Sequence, residues 1–431
     1  MKICLDYGEK GLWIDLPEML NIEVIQPRSI PGLANEKKAL RQALREPIGV
    51  APLRELVNRN DSVAIVFSDI TRPMPNRRVL PPLLEEISHV NRAQIVLINA
   101  LGTHQPMTEE ELESMLGREV TRNYRVLQHD SCDKSNLVYL GNSSFGHPIW
   151  INKFYMEASV RILTGLIEPH DFAGFSGGPK AVLPGIAGEE SILDNHKASM
   201  VGHPKATWGI TAGNPVWEEM LEVAASTKPT FLLNVCTNRA KEIVRVFAGD
   251  MEQAHSSGVN SAREAALVEV DDPFDIVITS NAGYPQDSSL YQAVKGMWAA
   301  AQIVKKQGSI ILAAECRNGI PESSNFGRIL KKALSPHALL QGMNQVDTQQ
   351  QDQWSAQVQA LAQLKADIYV KSTYLNEEQI RSALLKPCQS IEGTVNRLLI
   401  HYGRKARIAV LPEGPQTIPY VCHSRHSPSS N

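Results

Sequence analysis

Residues 62–73 read SVAIVFSDITRP, and residues 93–106 read AQIVLINALGTHQP. Each stretch opens with a short apolar run, Ser62–Phe67 and Ala93–Ala100, that stops in polar and turn-forming residues. A helical pattern follows each. Leu80 to Val90 is amphipathic, and Thr108-Glu-Glu-Glu111 is a capping box that opens a helix to about Leu116. Strand, polar loop and helix in succession, twice, predict a parallel sheet with crossover helices. Loops that follow parallel strands leave at one edge of the sheet, so Asp69, Arg72 and His104 are expected to converge there.

The next strand candidate, Ser159–Ile167, runs into the most unusual stretch of the chain, IEPHDFAGFSGGPKAVLPGIAGEESILDNH (167–196). Its glycines permit positive φ and close approach of a ligand to the backbone. It carries His170, Lys180 and His196. A phosphate-binding P-loop is excluded, because Pro179 separates Gly178 from Lys180 and Ala181 stands where a magnesium-binding hydroxyl belongs. A lysine in a dry loop can serve as a covalent attachment point, since burial frees its amine. The bland alternative is a solvated lysine with loop-capping histidines. Arg72 offers a planar fork for a carboxylate or phosphate, with a salt bridge to Asp69 as its bland alternative.

Further along, Glu36–Asn58 reads as one or two helices, Pro215–Ser226 and 250–268 as helices, and Thr230–Val235 as a strand. A fresh strand–loop–helix–strand unit starts after Val270-Asp-Asp-Pro273, with strands at Phe274–Thr279, Ser309–Ala313 and Asp367–Val370 and helices at about Ser288–Lys306 and at Gln345–Leu364. The expected fold is therefore α/β, with two domains of mainly parallel sheets and an active-site cleft between them. The N-terminal domain is assigned residues 1–269, joined by the C-terminal segment 400–431. The smaller domain is assigned 270–399. The tail from His423 reads as disordered.

Bulk properties exclude several classes. A formal net charge of -3 with 21% charged residues gives no basic surface for nucleic acid. No apolar run reaches the ~18 residues of a membrane helix. Asp6 and Glu9 come too early for a signal peptide. The six cysteines are scattered without paired spacing. This is cytosolic usage, neither a disulfide framework nor a cysteine-based zinc site. The expected location is the cytoplasm.

Five stretches carry a resemblance: Ser68-Asp-Ile-Thr-Arg-Pro73, Gly102-Thr-His104, Glu168–Lys180 with Pro184-Gly185, Asn195-His196, and Tyr291-Gln-Ala-Val-Lys295. In this order they resemble the nickel-dependent lactate racemase family, over nearly the whole chain. The resemblance implies a nickel-pincer nucleotide, a pyridinium-3-thioamide-5-thiocarboxylic acid mononucleotide. It would be attached to Lys180, with His196 as the protein's nickel ligand. The donor types agree, because imidazole and soft sulfur suit a square-planar nickel. It makes His104 and His170 the catalytic bases, places Asp69, Ser176 and Tyr291 beside the cofactor, sets Arg72, Gln292 and Lys295 to hold the substrate carboxylate or the cofactor phosphate, and makes Trp354 a cleft-lining residue on the substrate side. The implied activity is racemisation or epimerisation of a 2-hydroxy acid, lactate or a larger relative, by reversible hydride transfer through a 2-keto acid. Cofactor-synthesis and nickel-insertion proteins are the implied partners, with no nucleic acid and no membrane. Two other readings stand beside it: a pyridoxal-type Schiff-base enzyme at Lys180, and a non-catalytic ligand-binding α/β protein.

Overall fold

A computed structural model describes residues 1–320, 324–345 and 349–422. It divides into two compact units, one of residues 29–168 and 172–264, the other of residues 1–28, 169–171 and 265–431. Each is built on a six-stranded sheet.

In the unit 29–264 the strand order is Ile243–Gly249, Phe231–Thr237, Val160–Leu166, Val63–Ser68, Ile95–Ala100, Arg125–Gln128. All neighbours are parallel except the antiparallel edge pair Phe231–Thr237 and Ile243–Gly249. The central run Val63–Phe67 is buried throughout. That is why it reads as unbroken apolar sequence: a parallel strand with both faces covered has no solvent side to alternate with. Leu40, Leu44, Val79, Leu83 and Ile87 pack on it from the helices. From Ser68 the chain crosses to Ile95–Ala100, while Val160–Leu166 lies on the other side. This is a topological switch point, the place where open α/β sheets bind ligands.

The helix expected over Leu80–Val90 spans Asn76–Glu86 and carries Pro81 and Pro82 inside it. Its apolar positions Val79, Leu80, Leu83 and Leu84 fix it against the core despite the hydrogen bonds the prolines cannot make. Glu36–Asn58 resolves into helices Glu36–Arg45 and Leu53–Leu56.

The second unit corrects the expected domain assignment. Its order is Lys386–Pro387, Ala366–Lys371, Val304–Ala313, Phe274–Ser280, Arg407–Leu411, Asn21–Val24, all parallel. Arg407–Leu411 does not return to the first domain. Four of its five residues are buried, and it is sandwiched between Phe274–Ser280 and Asn21–Val24. Residues 1–28 belong here too, and Leu267–Val270 pairs with Ile418–Val421. A strand this apolar needs a parallel neighbour on each side and a helix on its face; Ile391, Val395 and Leu398 supply that cover. The single helix expected over Gln345–Leu364 is instead Pro336–Gln345 and Gln353–Gln363, the latter preceded by Asp352 at φ 67°. The tail from His423 lies outside the described residues. Among the described residues no helix is long and apolar enough to cross a membrane.

Candidate active site

Two polar loops leave the switch point of the unit 29–264. Asp69 follows Val63–Ser68 and is 4% exposed. Its Oδ2 lies 2.6 Å from His104 Nδ1, and its Oδ1 accepts from Thr71 Oγ1 at 2.7 Å. Burial alone would raise the Asp69 carboxyl, but the charge and hydrogen bond of His104, with Arg72 and Thr71, hold it below its ordinary value. With Nδ1 engaged, Nε2 is the ring nitrogen that His104 turns to other groups. Arg72 shapes this field without an ion pair to Asp69 among the described residues, which leaves its fork for another anion.

The loop bearing His104 is tied to the one bearing Lys180. Gly102 N donates to Gly185 O at 2.9 Å, and Gly185 N donates to Lys180 O at 3.1 Å. Lys180 sits in the one-turn helix Gly178–Ala181. Its Nζ is 5.8 Å from the centre of the Phe172 ring, and the His196 ring meets the same phenyl edge-on at 5.3 Å. His196 closes the helix Glu189–Asn195 and is 4% exposed. Its Nδ1 donates to Ile192 O at 3.0 Å. That bond fixes the tautomer and puts the lone pair on Nε2, the arrangement of a metal-ligating histidine.

Residues 172–179 are buried, and side chains meet their backbone needs. Ser176 Oγ donates to Leu166 O at 2.7 Å and accepts from Glu168 N at 3.0 Å, closing the neck of the loop. The Ser176 hydroxyl, expected beside the cofactor, is thus occupied by backbone. Asn234 Oδ1 accepts from Gly178 N at 2.8 Å, and His255 Nε2 donates to Ser176 O at 3.0 Å. The glycines answer to packing more than to a ligand. A Cβ on Gly178 would lie 2.4 Å from the His255 ring, and one on Gly177 would lie 2.7 Å from Asn234.

The other unit holds the remaining expected residues. His170 is 5% exposed, and its Nδ1 lies 2.9 Å from Asp171 Oδ1. Tyr291, Gln292 and Lys295 occupy the first turns of Leu290–Ala301, which Ser289 caps. Lys295 Nζ donates to Gln292 Oε1 at 3.2 Å, and Trp354 Nε1 donates to Tyr291 OH at 2.9 Å. Burial pushes the Tyr291 phenol up, with the Asp352 carboxylate adding to it and Ser355 and Trp354 opposing. Tyr291 therefore stays neutral and acts through hydrogen bonds.

Sequence reading missed Asp171, Thr71 and Phe172. Asp171 was the easiest to find, since it adjoins His170 in the chain. Thr71 and Phe172 carry no signal without the fold. Among the described residues no group of three or more His, Cys, Asp or Glu could hold a metal. A metal at His196 would therefore need donors from a bound group. One imidazole with a fixed lone pair, and a half-buried lysine beside the same ring, suit a tethered ligand that brings its own donors.

The lactate racemase N-terminal domain model matches residues 7–209, and the lactate racemase C-terminal domain model matches residues 270–418. The lactate racemase of Thermoanaerobacterium thermosaccharolyticum is 34% identical over 422 residues, covering 96% of this chain and 98% of that protein. That of Lactiplantibacillus plantarum is 35% identical over 394 residues, covering 91% and 92%. The structure of the T. thermosaccharolyticum lactate racemase apoprotein superposes with a TM-score of 0.91 at 33% identity, over 97% of this chain and 100% of that one. A Thermotoga maritima protein shares the fold at 19% identity, with a TM-score of 0.70 over 91% of this chain and 100% of that one. The chain belongs to the lactate racemase family, a family of isomerases.

Proposed function

We propose that this protein racemises or epimerises a 2-hydroxy acid, lactate or a larger relative, using a nickel-pincer nucleotide attached to Lys180 with His196 as the protein's nickel ligand. The observation that carries this reading is a pair of histidine–carboxylate couples, His104–Asp69 at 2.6 Å and His170–Asp171 at 2.9 Å. The enantiomers of a 2-hydroxy acid direct their hydroxyls differently, so inversion needs two bases. Asp69 holds the His104 imidazole by a hydrogen bond to Nδ1, and Asp171 Oδ1 stands against His170 Nδ1 as an ion-pair contact, so that Nε2 of each ring is the atom to take the hydroxyl proton from one enantiomer or return it to the other.

The α-hydrogen of such an acid is too weakly acidic for a histidine to remove as a proton. When bound, the group would supply a reversible hydride acceptor, so that the hydrogen could leave with its electron pair and the substrate become a 2-keto acid. Arg72, and Lys295 with its Gln292 partner, hold the carboxylate while the keto group changes face. Trp354 and Tyr291 present an apolar wall with a neutral donor. The group has to be made and loaded by other proteins, which are the proposed partners.

The test uses protein co-produced with proteins for cofactor synthesis and nickel insertion. Intact mass and metal analysis should show a covalent adduct and nickel, both absent from Lys180→Ala. Enantiopure L- and D-lactate and larger 2-hydroxy acids are then offered, and chiral chromatography follows the product. A nickel-loaded protein that leaves every one of them unchanged would falsify the proposal.

A further inference from the structure

Asn195 and Lys197 flank His196 in sequence, and neither has a role in the reading above. One buried charged cluster holds both. At its centre is Glu219, on the helix Pro215–Ser226 and 1% exposed. Glu219 Oε2 accepts from Asn195 Nδ2 at 2.9 Å, and the same amide nitrogen donates to Val216 O at 3.1 Å. Glu219 Oε1 accepts from Ser143 Oγ at 2.6 Å and lies 2.7 Å from His147 Nδ1. On the far side of that imidazole, His147 Nε2 is 2.5 Å from Lys197 Nζ.

Donor and acceptor roles follow from the end groups. An ammonium only donates, so His147 Nε2 accepts, and the ring hydrogen sits on Nδ1 and points at Glu219. The line Lys197–His147–Glu219 joins one positive to one negative charge through a neutral ring. Asn195 and His147 are 0% and 6% exposed, so the cluster is built into the core and not laid on the surface. A buried ion pair is weak evidence for stability, because apolar residues of similar volume often do as well. What it does supply is fixed position. This one grips the residue before His196 and the residue after it, while Ile192 O and Phe172 set the ring itself.

We propose that Glu219, His147, Asn195 and Lys197 form a positioning network that holds the His196 imidazole on the nickel. The proposal rests on the nickel-pincer reading above. Outer residues that orient a ligating histidine typically contribute 10- to 100-fold to metal affinity.

The experiment compares co-produced wild type with Lys197→Met, Glu219→Gln and Asn195→Ala, with His196→Ala as the reference for lost ligation. Three quantities are read: the Lys180 adduct by intact mass, nickel per chain, and the rate at which EDTA strips nickel. Thermal unfolding of the unloaded proteins is measured beside them. The expected result is a full adduct in every variant, with nickel stripped roughly 10- to 100-fold faster than from wild type. Stripping at the wild-type rate from adduct-bearing Lys197→Met overturns the proposal. So does joint loss of adduct and nickel in step with lowered unfolding temperature, which would mark general damage. If Glu219→Gln does not fold, Lys197→Met decides, because Lys197 is half-buried and reaches the cluster from its edge. A wild type that takes up neither adduct nor nickel overturns the nickel-pincer reading itself, and this proposal with it.

Discussion

Replacing Asp69 with asparagine tests the two-base reading most sharply. The substitution keeps shape and volume. Thr71 Oγ1 donates to Oδ1, so an asparagine would keep its oxygen there and turn its amide nitrogen toward His104. The amide nitrogen is a donor. It would force His104 Nδ1 to accept and move the ring hydrogen to Nε2, the atom that has to receive the substrate's proton. A charge-assisted hydrogen bond contributes about 1.5–3 kcal/mol. Its loss from the proton-transfer step therefore predicts a roughly 10- to 150-fold slower step. Enantiomers have equal free energies, so kcat/KM for L→D and D→L must fall by the same factor, and steady-state rates cannot reveal which base was hit. Single turnovers can. Loaded enzyme is mixed with one enantiomer, quenched, and assayed for bound 2-keto acid. In Asp69→Asn the first-turnover keto acid should form slowly from one enantiomer and at the wild-type rate from the other. His170→Gln should show the opposite preference. Equal slowing from both enantiomers, or from neither, refutes the assignment of one base to each.

Other outcomes follow from the same geometry. His255 is fully buried, and burial pushes it down to about 4 from 6.5, against a smaller opposing effect of its bond to Ser176 O. The unfolded chain binds the extra proton between those values, so this stability is complete above about pH 6.5 and is lost as pH falls toward 4. At 1.36 kcal/mol per unit that is about 3 kcal/mol; urea midpoints across pH should show the slope, and His255→Gln should flatten it. Asp69 acts lower on the scale. Its depressed carboxyl contributes fully above the ordinary carboxylate value and is lost only as pH falls through its folded value, so Asp69→Asn should unfold with less acid dependence below pH ~4 than wild type. Gly178→Ala places a Cβ 2.4 Å from the His255 ring at φ +52°, and should lower unfolding free energy by roughly 2–4 kcal/mol in denaturant titration. Ser176→Ala leaves the Glu168 N–H without its hydroxyl partner and should cost about 1–3 kcal/mol in the same assay.

The sequence by itself determined the positions of the strands and the loops that carry the chemistry. Ser62–Phe67, Ala93–Ala100 and Phe274–Thr279 are legible because a parallel strand covered on both faces is written as a continuous apolar run. Asp69 and His104 could be expected to meet because loops after parallel strands share an edge. Only the tertiary structure decided which strands pair. Nothing local says that Arg407–Leu411 lies between Phe274–Ser280 and Asn21–Val24. Neighbour choice is set by total burial across the sheet, and it put residues 1–28 and Arg407–Leu411 in the second unit, where the sequence had assigned them to the first. The roles of the loop residues divide the same way. Composition marked 167–196 as unusual, yet it could not say that Gly177 and Gly178 yield to Asn234 and His255, that Ser176 closes a neck, or that Glu219 grips both neighbours of His196. Those facts depend on side chains brought together from distant parts of the chain, and periodicity, being local, carries no record of them.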